Sequence, residues 1–558
     1  MRILKNRVFI LYFFITIVFF GMLIKLEYAT DTYAVFNFDK EAVYMQYAMS
    51  GRFITGTFLK FFKMINIPEK SMYAISCMLA IFCATLSQFI LHKLLEEDIK
   101  SKILKIIIPT LIIINPFSIE LFLFIEKGFM WLGILACVFA LMNFKKYFDN
   151  SKSNSLEYDK KTKEMLLKNL GSKRYLLYSL IFMFIANCLY QGVVGLFLSV
   201  ALVYILKYSK NIRKVASPYV QVASQPHESK KLNLVAPEKS DDFSYTIRKV
   251  ASPHVQVASE KSSDFSYAIK EFIVNNIIAG SIYAIPALIN FLFVKIKFKE
   301  SRVNGQIVIL DSLEKIWQNT INIFKTMYGI LPKYTFILLI LFTFAFFCSK
   351  IWKEEKKLLL ILKFVYILVG ITFIAIAPQI LQPTNLIWFG PRSTYSFASM
   401  YGVLTLYLAM NYELEGISKY AIIIFSVILL TFQAQKFIKI EKDRYLLNKN
   451  DLSIIMQVKK QIDEYEKQTG NIITELSWYE DEKPNFTYNG IFVTSDMNVK
   501  SYSSDWSTVE ILKYYLKRDI KLVKRDENLE KLFKSKNWNE FDEEQILFEN
   551  NKLHLCNY

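Results

Sequence analysis

The chain has 558 residues, of which 53% are hydrophobic, 16% aromatic and 21% charged, with 17 glycines. That balance excludes intrinsic disorder, collagen-like repeats and disulfide scaffolds. The apolar residues also gather into runs of about 18 or more, which suits bilayer spans and argues against a string of soluble domains. The net charge is +18, from 68 Lys+Arg against 50 Asp+Glu. Much of the basic excess flanks the apolar runs, so membrane lipid is the expected partner and nucleic acid is not.

Arg2, Lys5 and Arg7 precede the first run, Val8–Ile24, and no small-residue cleavage site follows it. It reads as a retained anchor with the N-terminus in the cytoplasm. Further spans are expected at about 71–91, 104–124, 128–143, 175–190, 191–206, 271–294, 335–349, 358–377, 395–411 and 420–434. The stretch 175–206 can be one long helix or a hairpin, and Lys/Arg at both of its ends favour the hairpin. Loops 92–103, 144–174, 207–270, 350–357 and 412–419 then fall in the cytoplasm. The 144–174 loop fits that side, with Lys145, Lys146, Lys152, Lys160, Lys161, Lys163, Lys168, Lys173 and Arg174 against four acids.

Within 207–270, Ile212–Ser224 recurs almost unchanged as Ile247–Ser259, and Glu238–Tyr245 recurs as Glu260–Tyr267. Two copies at unequal spacing, rich in Ser, Lys and Pro, build no solenoid, so this segment reads as a repeat-bearing cytoplasmic insert. Residues 25–70 and 295–334 are the substantial outer loops. In the second, Leu310, Leu313, Ile316, Trp317, Ile321, Phe324 and Met327 recur every three or four residues. They predict an amphipathic helix starting near Asp311 or Ser312 and suited to the membrane interface.

Charge rises from 436 onward. A helix carrying Leu446, Leu452, Ile455, Val458 and Ile462 is expected to end near Gly470, with strand-like runs at Asn471–Leu476, Gly490–Val493 and Ile546–Leu555. The fold class is therefore an all-α polytopic membrane protein with about 11 transmembrane helices. Residues 1–435 form its multispanning membrane domain and 436–558 a small extracytoplasmic α/β C-terminal domain. An odd number of spans puts that domain outside.

The cysteines Cys77, Cys83, Cys137, Cys188, Cys348 and Cys556 show no metal-ligand spacing, and five lie in apolar runs. They read as small buried hydrophobes. The four histidines are too scattered for a zinc site or a triad, and no Walker loop, GxSxG, HExxH or dinucleotide fingerprint stands in a convincing context. No cofactor is expected, and no residue pattern points to a metal site.

Polar residues at membrane-interface depth are costly, so their clusters are functional candidates. The first outer loop holds Asp31, Asp39 and Glu41, then Arg52 in Ser50-Gly51-Arg52-Phe53. A carboxylate there can take a proton from a sugar hydroxyl while a guanidinium holds a lipid-linked phosphate. The plainer reading has Asp39 capping a helix that begins at Lys40, and the loop charges solvated. Next come Asn115-Pro116-Phe117-Ser118-Ile119-Glu120 and Phe124-Ile125-Glu126-Lys127. Glu126 and Lys127 can pair with other charges or mark a turn, whereas Glu120 amid large apolar residues is harder to read as filler. Tyr190-Gln191 either lines a sugar cavity or turns the hairpin. Gly390-Pro391-Arg392 bends the chain before a late span, where Arg392 either binds phosphate or snorkels to headgroups.

In their order these features resemble the bacterial and phage-type O-antigen glucosyltransferase family, multispanning GT-C enzymes. The matching pieces are Ala29-Thr30-Asp31-Thr32, Ser50-Gly51-Arg52-Phe53, Asn115-Pro116-Phe117 with Glu120 and Phe124, Leu189-Tyr190-Gln191, Pro391-Arg392 and Asp443-Arg444. Phe53 stands where such proteins often have Trp, and the 207–270 insert departs from the pattern. The resemblance implies transfer of a hexose, glucose first, from a polyprenyl-phosphate sugar to a surface glycan on the outer face of the bacterial cytoplasmic membrane. It suggests Asp31 as base, Arg52 and Arg392 as phosphate holders, and Glu120 and Gln191 as sugar contacts, with Asp39, Glu41 and Tyr190 beside them in the substrate site. The implied partners are a lipid-linked sugar donor, a surface glycan acceptor, a small-protein flippase and a donor synthase. Rival readings are a surface polysaccharide polymerase or ligase, and a lipid-sugar transporter or flippase. The transporter is disfavoured because no pseudo-repeated halves are visible.

Overall fold

The computed structural model describes residues 6–25, 28–156, 162–210, 252–298, 308–351, 357–380, 382–412, 414, 416–480, 485–536, 538 and 540–557. The first copy of the internal repeat lies outside these residues. So does the start of the second, whose remainder belongs to the helix that opens at Ser252.

Every stretch expected to span contains helix. In chain order the helices up to the insert are α1 (Arg7–Phe20), α2 (Thr30–Asn37), α3 (Lys40–Ala48), α4 (Phe53–Met64), α5 (Glu69–Leu95), α6 (Lys102–Ile113), α7 (Lys127–Leu156), α8 (Thr162–Leu189) and α9 (Gly195–Lys210). They continue as α10 (Ser252–Lys297), α11 (Ile309–Thr326), α12 (Thr335–Ile351), α13 (Lys357–Ile380), α14 (Tyr395–Ala398), α15 (Met400–Asn411) and α16 (Gly416–Thr469). Among the described residues six helical segments are long and apolar enough to cross a membrane: Glu69–Leu95, Lys127–Asn150, Gln191–Ser209, Ile269–Lys297, Lys357–Ile380 and Gly416–Thr469. A seventh arises if α6 and the 3-10 turn Pro116–Phe122, bent by 55° to each other, make one broken span; Arg7–Phe20 and Thr335–Ser349 are shorter apolar helices.

Apolar burial does little to join helices that already lie in an apolar solvent, so close packing and polar contacts decide which faces meet. Gln88 of α5 donates to Thr16 Oγ1 of α1 at 3.0 Å and accepts from Thr110 of α6 at 3.1 Å, pinning three helices in the interior. Ser76 donates to the Ile125 carbonyl at 2.5 Å and accepts from Gly128 N–H at 2.9 Å, fixing α5 against the start of α7.

The 175–206 stretch is a hairpin broken at Tyr190. Gly133 near the start of α7 lies against Leu189 and Val193, while Lys146 near its far end sits over the Tyr175 ring and Phe148 stacks on Tyr208. Described residues of the 92–103 and 144–174 loops and the start of 207–270 meet at that far end. There Asp98 is paired with Lys145 at 3.1 Å and with Lys207, and Tyr208 donates to Asp149 at 2.6 Å.

The first loop and the tail gather at the opposite end. The helix expected at 446–462 is not separate from the last span: α16 runs unbroken through residue 435 for 54 residues, about 80 Å at 1.5 Å per residue, and stops at Gly470 with φ +76°. Beyond it lie β1 (Glu475–Tyr479), α17 (Asp505–Leu516), β2 (Lys521–Leu522), α18 (Glu527–Lys534), β3 (Ile546–Glu549) and β4 (Lys552–Cys556). The sheet order is β2-β1-β4-β3, with β1 parallel to both neighbours and β3–β4 an antiparallel hairpin. Residues 490–493, expected as a strand, form an irregular loop after Gly490 (φ +75°). The helix expected in 295–334 forms as α11, and its apolar stripe divides: Ile316 is buried, as is Ile323 beside it, while Leu310, Leu313 and Trp317 are exposed.

One buried apolar cluster joins Tyr28, Tyr33, Phe36 and Tyr47 of the first loop to Ile454 and Val458 of α16 and to Leu476, Leu512 and Leu553 of the tail. Polar bonds follow the same path. Asn37 Nδ2 donates to the Glu510 carbonyl at 2.6 Å, and Tyr514 donates to Glu69 at 2.6 Å. The Tyr28 carbonyl accepts from Arg444, Asn448 and Ser501.

Candidate active site

Four separate segments deliver charge to one place at the tail end of the bundle. Asp31 lies in the first turn of α2, three residues after the Tyr28 carbonyl that α16 and the tail hold. The positive end of the helix dipole favours a carboxylate there. Arg52 follows a turn that favours glycine: Gly51 has φ +75°, and a Cβ on it would stand 2.6 Å from Gln191 Nε2. The turn is clamped on both sides, since Gln191 Nε2 donates to the Ser50 carbonyl at 3.0 Å and Asn290 Nδ2 to the Gly51 carbonyl at 2.9 Å.

Glu120 arrives through the bend after α6. Asn115 caps the turn by accepting from Phe117 N–H at 3.0 Å and donating to the Tyr395 carbonyl at 3.2 Å. Pro116 then sits where its missing N–H costs nothing. Arg392 comes from the turn before α14, and the backbone passes so close to the hairpin that a Cβ on Gly192 would lie 2.4 Å from the Arg392 carbonyl.

Glu120 is fully buried. Its Oε2 accepts the Arg392 backbone N–H at 2.7 Å, while Oε1 has no partner among the described residues. The Arg392 guanidinium lies over the Phe124 ring at 3.7 Å and near Trp388 at 5.1 Å, and its Nη2 reaches Asp496 Oδ2 at 3.2 Å. Arg52 sits over the Tyr190 ring at 4.6 Å and 3.7 Å from Glu126 Oε1. No described residue makes a hydrogen bond or ion pair with the Asp31 carboxylate, yet it feels Arg392, Glu126, Asp496 and Arg52. Burial pushes its pKa up to about 6; Arg392 opposes the rise, Glu126 and Asp496 add to it, and Arg52 opposes it. Asp31 is therefore a carboxyl raised toward neutrality that still feels the charge of both guanidinium groups.

Of the sequence candidates, Asp31, Arg52, Glu120, Tyr190, Gln191 and Arg392 come together. Tyr190 carries Arg52 on its ring, and Gln191 spends its amide on the Ser50 carbonyl. Asp39 and Glu41 stand apart on the exposed side of α3. Asp39 caps that helix through the N–H groups of Glu41 and Ala42, both at 2.8 Å, and these bonds hold its carboxyl below the usual range. Glu41 pairs with Lys60 at 2.7 Å. Asp496 was not foreseen, because an aspartate in a polar tail carries no local signal, and Glu126 was foreseen only as a pairing or turn residue. Among the described residues no group of three or more His, Cys, Asp or Glu is placed to hold a metal ion.

Two arginines and four carboxylates, Asp31, Glu120, Glu126 and Asp496, thus influence one another at this end of the bundle. Residues 19–217 match the family model Glucosyl transferase GtrII. The GtrII match takes in Asp31, Arg52, Glu120, Tyr190 and Gln191 and stops before Arg392 and Asp496, which folding brings to the same place. No curated protein and no solved structure matches the chain.

Proposed function

We propose that the chain is a GT-C-type glucosyltransferase of the bacterial cytoplasmic membrane, with about eleven spans and its tail outside. It moves glucose from a polyprenyl-phosphate carrier to a surface glycan such as O-antigen, with no cofactor, and works beside a donor synthase and a small flippase. One observation carries this reading: Asp31 makes no hydrogen bond or ion pair with a described residue, is raised toward neutrality by burial, and feels the charge of Arg52 and Arg392. The GtrII match over the segment that contains Asp31 and Arg52 supports it.

In the reaction, Asp31 accepts the proton of the acceptor hydroxyl as that oxygen attacks the anomeric carbon. The bond from that carbon to the phosphate oxygen breaks, and its electron pair leaves with the lipid phosphate. Arg392 and Arg52 meet the departing charge, so the leaving group needs no acid. Direct displacement inverts the anomeric centre.

The test uses membranes containing the protein, polyprenyl-phosphate [14C]glucose and an O-antigen acceptor. Transfer should be lost in Asp31→Asn and kept in Asp39→Asn. Equal transfer by wild type and Asp31→Asn, or retained configuration in the product, would overturn the mechanism.

A further inference from the structure

Asp496 belongs to the tail, outside the GtrII match, yet among the described residues it is the only ion-pair partner of the Arg392 guanidinium. Glu120 bonds the Arg392 backbone N–H and not its guanidinium, and Phe124 and Trp388 offer ring faces. Asp496 thus occupies the edge of the guanidinium that an anionic oxygen would use. Its contact is single, Nη2 to Oδ2 at 3.2 Å, and its side chain is 32% exposed against 17% for Arg392. The segment behind it is held firmly. Asn498 Nδ2 donates to Asp443 at 3.2 Å, Asn498 Oδ1 accepts from Val493 N–H at 2.6 Å, and Thr494 N–H reaches the Tyr328 carbonyl at 2.8 Å. The backbone is fixed while the carboxylate stays free to turn to water.

We infer that Asp496 is an exchange partner for Arg392: it neutralises the arginine in the empty site and gives way to the phosphate of the lipid-linked donor. A buried guanidinium among aromatic rings is costly without a counter-ion; Glu120 and Asp31 lend negative charge nearby, and Asp496 supplies the direct, one-point ion pair. Phosphate can grip the same fork through two parallel bonds, so it displaces the weaker partner. The released carboxylate moves into water at small cost because it is already partly exposed. After transfer it returns to the guanidinium and helps expel the polyprenyl phosphate, so the tail acts on both donor capture and product release. This inference rests on the proposed function.

Removing a competitor has a sign opposite to removing a support. In Asp496→Asn the donor KM should fall by about two- to five-fold, the range expected for a partly exposed ion pair. The kcat should fall as well, because the lipid phosphate leaves more slowly. Asp496→Glu restores the exchange and should return both values toward wild type. The direct probe is farnesyl phosphate titrated into the purified full-length protein in detergent: the inference expects tighter binding in Asp496→Asn and weaker binding in Arg392→Ala. If Arg392→Ala weakens binding while Asp496→Asn leaves it unchanged or weaker, the exchange is overturned and the proposed function stands. If wild type binds no farnesyl phosphate, or Arg392→Ala binds it as wild type does, both are overturned.

Discussion

Asp31 carries two opposite demands. A base must be ionised, and burial makes ionisation costly, so its pKa rises from 3.8 to about 6. Above pH 6 the carboxylate is available; below it protonation removes the base, and kcat/KM should fall about tenfold per pH unit. A pH–rate profile checks this, and Asp31→Asn should lower the rate about 10²–10⁴-fold while abolishing that limb. Stability runs the other way. A carboxyl whose pKa is raised on folding favours the folded state below pH 4, and that contribution is lost as pH rises through 6. Asp31→Asn should therefore melt higher than wild type at pH 8, and equal melting temperatures would count against a buried, uncompensated carboxylate. Gly51 offers a second check at this scale. Gly51→Ala strains a positive φ and pushes on Gln191, so it should cost about 1–3 kcal/mol and displace Arg52, read as lower thermal stability with a raised donor KM.

At the scale of elements, the polar residues stranded in apolar surroundings were the legible ones. Glu120 and Arg392 declare themselves because a charge near large apolar residues needs a reason. Asp496 does not, being one acid among many in a charged tail, and only the fold connects it to Arg392. The boundary near 435 marks a change in composition that the backbone ignores. Hydropathy falls there, yet the three-to-four spacing of Leu452, Ile455, Val458 and Ile462 continues, and α16 passes straight through. The Asp443-Arg444 pair on that helix joins parts of the molecule: Asp443 accepts from Tyr488 N–H at 2.6 Å, Asn489 N–H at 3.2 Å and Asn498 Nδ2 at 3.2 Å. Asp443→Ala leaves those donors without their acceptor and should destabilise by about 2–4 kcal/mol. It should also loosen residues 485–499, visible as faster proteolysis there while the bundle stays resistant.

For the whole molecule, composition and run lengths made the helical membrane architecture legible. The joint core between the first loop and the tail was not legible, because Tyr33 and Val458 lie more than 400 residues apart and each looks like ordinary local burial. That core implies that residues 471–558 expressed alone should not give a folded unit. Ending the chain after Gly470 should likewise abolish transfer while leaving Asp31, Arg52, Glu120 and Arg392 in the sequence; cooperative melting of the isolated tail would contradict this. The continuous helix α16 adds a further consequence. Its lower part is apolar and its upper part carries Arg444 and Asn448, which hold the first loop, and Asp443 and Asp451, which hold the tail, so it acts as a ruler whose zero mark is the bilayer surface. A bilayer thicker or thinner than the apolar portion would tilt or shift that ruler against the rest of the bundle, at a fraction of a kcal/mol per ångström. Transfer rates should then peak at one lipid acyl length in reconstituted vesicles, making membrane thickness itself a setting of the enzyme.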